Sequence, residues 1–274
     1  MQVLLASVEG HGTSLGSLRR VVSTAGTEGP EWSARAEGWA DVWAGMADPA
    51  RRAIADAAGI GPGMRVLDIG CGSGELCALA AARGAEVAGI DAAEGMIAIA
   101  RGRLPDADLR VGPMEQLPWE DDRFDLATAV NALQFAADFV DALREAARVV
   151  RPGGAVAICN WGRIEHRELL AVMRTLREGP GAAGPTIGDP GELERRARLA
   201  GLEPGDAGEV EVPFEVPDQA TLEHAFLVDS AGGALERLGE AEIRRRVAEA
   251  AAPYRRGDGS YRFENRFRYL IATA

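Results

Sequence analysis

The chain contains no lysine, and all 30 of its Lys and Arg positions are arginine. Without a side-chain primary amine it cannot form a Schiff base to a carbonyl substrate or to pyridoxal phosphate, and it offers no lysine nucleophile. It also lacks the lysine with which a P-loop or a protein-kinase strand reaches a nucleotide phosphate. Positive charge is short overall: 30 Arg against 42 Asp and Glu gives 30 − 42 = −12. Contacts to phosphate backbones need surplus positive charge, so this balance argues against nucleic acid and favours a small-molecule partner. The arginine runs at Arg195, Arg196 and Arg198 and at Arg244 to Arg246 read as solvated helix faces.

Cysteine and histidine are equally sparse. Cys71, Cys77 and Cys159 form no C-x-x-C pair, and His11, His166 and His224 are scattered. Neither a bound metal nor a disulfide framework is expected. An odd number of cysteines suits a reducing cytoplasm. The short apolar run VLLA precedes Glu9 and His11, which suits neither a signal peptide nor a membrane span. Residues 1–28, rich in Ser, Gly and Thr, are expected to be a loose extension. Nothing in the pattern sets an oligomeric state.

What is present is strand–helix alternation. Residues 31–58 read as helical, with Trp32, Trp39 and Trp43 spaced seven and four apart on one face. After Gly-Pro-Gly at 61–63, Met64 to Ile69 is an apolar run with the look of a buried strand. EVAGID, DLRVG, FDLATAV and AVAICNW follow as further strands, separated by helical stretches. Continuous apolar strands are buried on both faces, so the class is α/β with a doubly wound, mostly parallel sheet. Beyond Trp161 the pattern predicts helices over 166–178, 190–200 and 218–251. EVEVPFEV is expected as one extended strand, and YRFENRFRYLIATA as the last strand.

The strongest motif is VLDIGCGSGE, Val66 to Glu75. Gly70, Gly72 and Gly74 alternate at the carboxyl end of the first strand, where open α/β sheets bind ligands. Glycine permits positive φ and close backbone approach there. A dinucleotide fingerprint, G-x-G-x-x-G, would carry its third glycine one residue later, where this chain has Glu75. A carboxylate beside a pyrophosphate is electrostatically wrong, so a cationic or zwitterionic ligand fits better. Asp68 sits at the tip of the first strand and Asp91 at the tip of the second, 23 residues on. An acid at the second tip commonly holds ribose hydroxyls. Capping of a turn or helix is the competing role for either acid.

VLDIGCGSGE, with GIDAAEGMIAIAR, GPMEQLPWEDDRFDLATAVNALQF and RVVRPGGAVAICNW, resembles the class I S-adenosylmethionine-dependent methyltransferases. The likeness is strongest to the small-molecule branch that includes ubiquinone/menaquinone-type C-methyltransferases, and it covers about residues 31–160. It implies a seven-stranded Rossmann-like methyltransferase fold with a helical cap from the N-terminus and an insertion before the last strand. Residues 29–274 would form one domain, with the cofactor half at about 60–161 and an acceptor cap from about 31–58 and 217–253. The implied cofactor is S-adenosylmethionine and the implied partner a small-molecule acceptor.

By the same resemblance, Gly70, Gly72 and Gly74 pass under the methionine part of the cofactor and Asp68 lies near its amino group. Asp91 takes the ribose hydroxyls. Ala92 and Met96 line one side of the adenine and Pro113, Met114 and Glu115 the other, while Asn131 and Ala132 close over the sulfonium end. Proline stands where the family commonly has an acid that meets the adenine amine, leaving Glu115 or a water for that contact. His224, in TLEHAFLVD, is the candidate general base for a hydroxyl acceptor, with a surface role as the alternative. Trp39 and Trp43 are candidates for a lid or for plain core. Two other activities fit the same motifs: non-methyl chemistry such as cyclisation or decarboxylation around a bound cofactor, and a non-catalytic cofactor-binding module.

Overall fold

The structure, a computed structural model, describes residues 29–177, 186–228 and 234–274. The extension expected at 1–28 lies outside the described residues. The first helical stretch is broken in two: α1 (Gly29–Val42) and α2 (Asp48–Ala57) are joined by a 3-10 turn at Ala44–Ala47. Pro49 accounts for the break. It has no N–H to continue a helix, but it suits the first turn of a new one.

The sheet then alternates with helices as expected. β1 (Arg65–Ile69), α3 (Glu75–Ala82), β2 (Glu86–Asp91), α4 (Glu94–Arg103), β3 (Asp108–Val111) and β4 (Phe124–Val130) follow in turn. α5 (Phe139–Val149) leads into β5 (Val150–Trp161). Asp138 caps α5, its side chain accepting from the N–H groups of Val140 and Asp141 at 2.8 and 3.0 Å. The helix buries Phe139, Ala142, Leu143, Ala146 and Val149, one stripe at helical spacing. α6 (Leu169–Leu176) and α7 (Glu192–Leu199) precede β6 (Glu203–Glu211).

EVEVPFEV is not one strand. β6 ends at Glu211, and β7 (Phe214–Val216) begins after Pro213, which has no N–H for the ladder. Similarly, β8 (Tyr261–Phe263) and β9 (Arg266–Thr273) are separate, interrupted at residues 264–265. β7 and β8 form their own antiparallel pair, and between them lie α8 (Gln219–Val228), α9 (Ala234–Leu238) and α10 (Glu240–Ala251).

The main sheet has seven strands in the order β3-β2-β1-β4-β5-β9-β6. β1 to β5 pair in parallel, and β9 runs antiparallel to both β5 and β6. The strand order reverses between β1 and β4, whose carboxyl ends therefore flank the crevice of a doubly wound sheet. Side chains alternate across the sheet. Val66 belongs to one core cluster, with residues of α2, α8 and α10, while Leu67 and Ile69 belong to another, with residues of α5 and α7. Each such buried aliphatic side chain contributes about 1.5–3 kcal/mol. At the opposite end of the sheet, Arg65 bonds Asp125 through Nε at 3.1 Å and Nη2 at 3.0 Å, tying β1 to β4. Among the described residues no helix is long and apolar enough to cross a membrane, and no cluster of three or more His, Cys, Asp or Glu is arranged to hold a metal.

Candidate active site

The carboxyl ends of β1, β2 and β4 open into one cavity, with about 890 Å³ of empty space that includes its open mouth. Its floor is the glycine loop. Gly70 has φ +69°, and a Cβ there would lie 2.4 Å from the Cβ of Ala132, so only glycine fits. Gly72 has φ +54° and nothing within 4 Å of where a Cβ would stand. The loop thus leaves a cradle that any side chain would fill.

Asp91, at the tip of β2, holds this cradle. Its Oδ2 accepts from the Gly72 N–H at 2.9 Å and its Oδ1 from the Ala93 N–H at 2.9 Å. The acid therefore ties the loop to Ala93, the residue before α4, without capping that helix, and it also lines the cavity. Each carboxylate oxygen keeps a lone pair for a ligand hydroxyl. Burial raises the Asp91 carboxyl above its ordinary range against the two N–H donors.

Ala92, Met96 and Met114 form an apolar slot beside Asp91. The opposite wall is aromatic. Trp32 meets Trp39 edge-on at 4.8 Å, Trp39 stacks near Trp43 at 5.8 Å, and Phe135 meets Trp32 at 5.4 Å. All four rings border the cavity. The tryptophan face of 31–58 therefore both borders the cavity and packs into the core. Ala36 packs with Ala93 and Met96, with Trp32 and Trp39 against them, setting α1 over α4. Trp43 stacks on Phe214 at 4.4 Å and donates from Nε1 to the Ala225 carbonyl at 2.9 Å.

Several expected residues stand elsewhere. Asp68 is buried behind the loop and does not line the cavity; Thr128 Oγ1 donates to its Oδ1 at 2.7 Å. Burial pushes its carboxyl up to about 7, against the Thr128 hydroxyl and the charge of Arg51. Gly74 is the residue before α3 and faces Ala100 of α4, so it serves helix packing rather than the cavity wall. Glu115 does not border the cavity either; its Oε1 accepts from the Ala137 N–H at 2.7 Å and pins one loop to another. His224 lies exposed on α8, opposite the buried Leu222, Ala225 and Phe226 faces that pack inward, and is not among the lining residues. A base must reach the proton it removes, and the exposed His224 stands outside the residues lining this cavity. From 217–253 the described residues buttress the tryptophan wall from behind and do not line the cavity.

Sequence reasoning missed Arg51. It is the one cation among the described lining residues. Its Nη1 donates to the Ala44 carbonyl at 2.6 Å and to Asp48 Oδ1 at 2.7 Å, and its Nη2 stands 3.9 Å from Glu75 Oε2. No motif spacing marks one arginine among thirty. Glu75 is committed as well: Ser73 Oγ donates to it at 2.5 Å and Arg103 pairs with it. Burial pushes the Glu75 carboxyl up, but Ser73, Arg51 and Arg103 outweigh it and hold it below the ordinary carboxylate range.

The chain is similar to known proteins in sequence and in fold. Residues 67–158 match the family model described as a methyltransferase domain. The chain is 33% identical over 245 residues to an uncharacterized protein of Mycobacterium tuberculosis, covering 80% of this chain and 83% of that protein. It is 36% identical over 162 residues to the ubiquinone biosynthesis O-methyltransferase of Bordetella bronchiseptica, covering 55% of this chain and 67% of that protein. In fold it is similar to the crystal structure of the YcgJ protein from Bacillus subtilis. The TM-score is 0.58 at 20% identity, over 81% of this chain and 97% of that one.

Proposed function

Because the chain belongs to the class I S-adenosylmethionine-dependent methyltransferases, we propose that it methylates a small, flat, largely apolar metabolite seated against the tryptophan wall. One observation carries this reading. The glycine cradle, the Asp91 carboxylate and the aromatic rings of Trp32, Trp39 and Trp43 border a single continuous cavity. Concave, mostly apolar space with few polar groups is what small-molecule sites look like.

The residues present fit the cofactor. The open space over Gly72 suits its methionine part, and the Arg51 guanidinium suits the carboxylate of that part. Asp91 retains acceptor capacity for the ribose hydroxyls. Ala92, Met96 and Met114, which line the cavity, suit the adenine, and Asn131 and Ala132, which line it too, would stand at the reacting end. When bound, the cofactor supplies a methyl group already activated on a sulfonium. The remaining work of the chain is alignment and exclusion of water, for which a rigid aromatic wall is well suited.

The test is direct. Calorimetry should register S-adenosylmethionine binding, and incubation with a panel of phenols, quinols and amines should give a product heavier by about 14 mass units (one methyl replacing one hydrogen) together with S-adenosylhomocysteine. Absence of cofactor binding would overturn the reading. Binding with no methylated product across the panel would favour non-methyl chemistry on this fold.

A further inference from the structure

Asn131 follows β4 with φ +53°, a left-handed conformation that asparagine tolerates better than most residues. Its backbone N–H donates to the Cys159 carbonyl at 2.7 Å, which anchors it to β5. Gln134, in the 3-10 turn Leu133–Phe135, approaches both oxygens of Asn131. Its Nε2 lies 3.0 Å from the Asn131 backbone carbonyl and 2.7 Å from Asn131 Oδ1.

This pair fixes its own chemistry. A backbone carbonyl can only accept, so the Gln134 atom beside it is the NH2 group. The Asn131 side-chain atom facing that NH2 must in turn be the oxygen. Both amide orientations thus follow from one obligate acceptor. The NH2 of Asn131 is left without a hydrogen-bond partner among the described residues, and it is not sealed in the interior. The open space that Asn131 borders is the cavity. Gln134 holds this arrangement although its own Oε1 is buried without a partner among the described residues, a feature that calls for a functional reason.

We infer that Asn131 presents its NH2 group as the donor that selects a methyl acceptor carrying a lone-pair oxygen or nitrogen beside the reacting atom, and that Gln134 is the residue positioning it. The inference rests on the cavity being the methyl-transfer site. A site built to donate a hydrogen bond rejects an analogue that cannot accept one, because the donor is then left unpaired. An aromatic carbonyl compound meets both demands: a flat ring for Trp32, Trp39 and Phe135, and an acceptor atom for Asn131.

The test compares 1-indanone with indane, bicyclic probes that differ in one carbonyl, by ligand-observed NMR titration of the S-adenosylhomocysteine-loaded protein. The wild type should bind 1-indanone at least fivefold more tightly. Asn131→Asp replaces the donor by an acceptor. Gln134→Glu removes the NH2 and invites the Asn131 amide to turn over. Both should abolish or reverse the preference, and Gln134→Glu, at a residue that does not line the cavity, should leave S-adenosylhomocysteine affinity within twofold. A merely structural defect would weaken both probes together and leave their ratio alone. An unchanged ratio in the variants, or failure of 1-indanone to bind the wild type, would overturn the inference. Loss of S-adenosylhomocysteine binding by the wild type would instead overturn the methyltransferase reading of the cavity.

Discussion

Arg51 Nη2 stands 3.9 Å from Glu75 Oε2, so a residue of the N-terminal helices meets the first residue of α3 at the cavity. Arg51 Nη1 is engaged by Ala44 and Asp48, and Glu75 has a second partner in Arg103, so Nη2 is the group Arg51 can offer a ligand carboxylate. Arg51→Met should weaken S-adenosylmethionine binding at least tenfold, about 1.4 kcal/mol. Binding of methylthioadenosine, which has no carboxylate, should change less than twofold. Equal losses for both ligands in calorimetry would assign Arg51 to the fold alone.

Asp91→Ala should likewise cost at least tenfold in cofactor affinity, about 1.4 kcal/mol or more, through lost charge-assisted bonds to the ribose and a loosened Gly72 N–H. An unchanged dissociation constant in Asp91→Ala would count decisively against the ribose assignment.

The buried Asp68 makes a prediction about pH. Its carboxyl rises to about 7 in the folded chain from the ordinary 3.8. The folded state therefore holds a proton that the unfolded state has released, and stability declines as pH rises from about 4 to about 7. The neutral form is well accommodated: Asp68 donates to Thr128 Oγ1, and the Thr128 hydroxyl turns to the Leu67 carbonyl, 3.3 Å away. Asp68→Asn cannot titrate. Between pH 5 and pH 8 the wild type should lose about 3 kcal/mol relative to this variant. Urea unfolding at the two pH values measures the difference, and a gap that stays constant would sink the assignment.

His224→Ala should leave turnover within twofold of wild type once an acceptor is found, because the imidazole is exposed on α8 and does not line the cavity. A fall of a hundredfold, the scale of a lost general base, would return His224 to the site.

Much of the cofactor half was legible because its signals are contiguous in the chain. VLDIGCGSGE carries strand, turn and helix start within ten residues, and EVAGID ends on the acid that closes the loop. The less legible parts depend on partners distant in sequence. Arg51 acquires its place only when α2 packs beside the loop, and no local pattern distinguishes it. His224 lies on a helix whose buried face includes Ala225, bonded to Trp43 182 residues earlier in the chain. Pro213 and Pro49 did carry local signals, since each removes an N–H where a single strand or helix had been expected.

The stack of Trp43 on Phe214 has one more consequence. The surface that a substrate would touch is the outer layer of the same aromatic packing that holds the insertion to the sheet. Substrate range and thermal resilience are therefore coupled at Trp43. A mutation that widens the cavity also excavates the core, so broadening the specificity of this protein should require compensating stabilisation elsewhere.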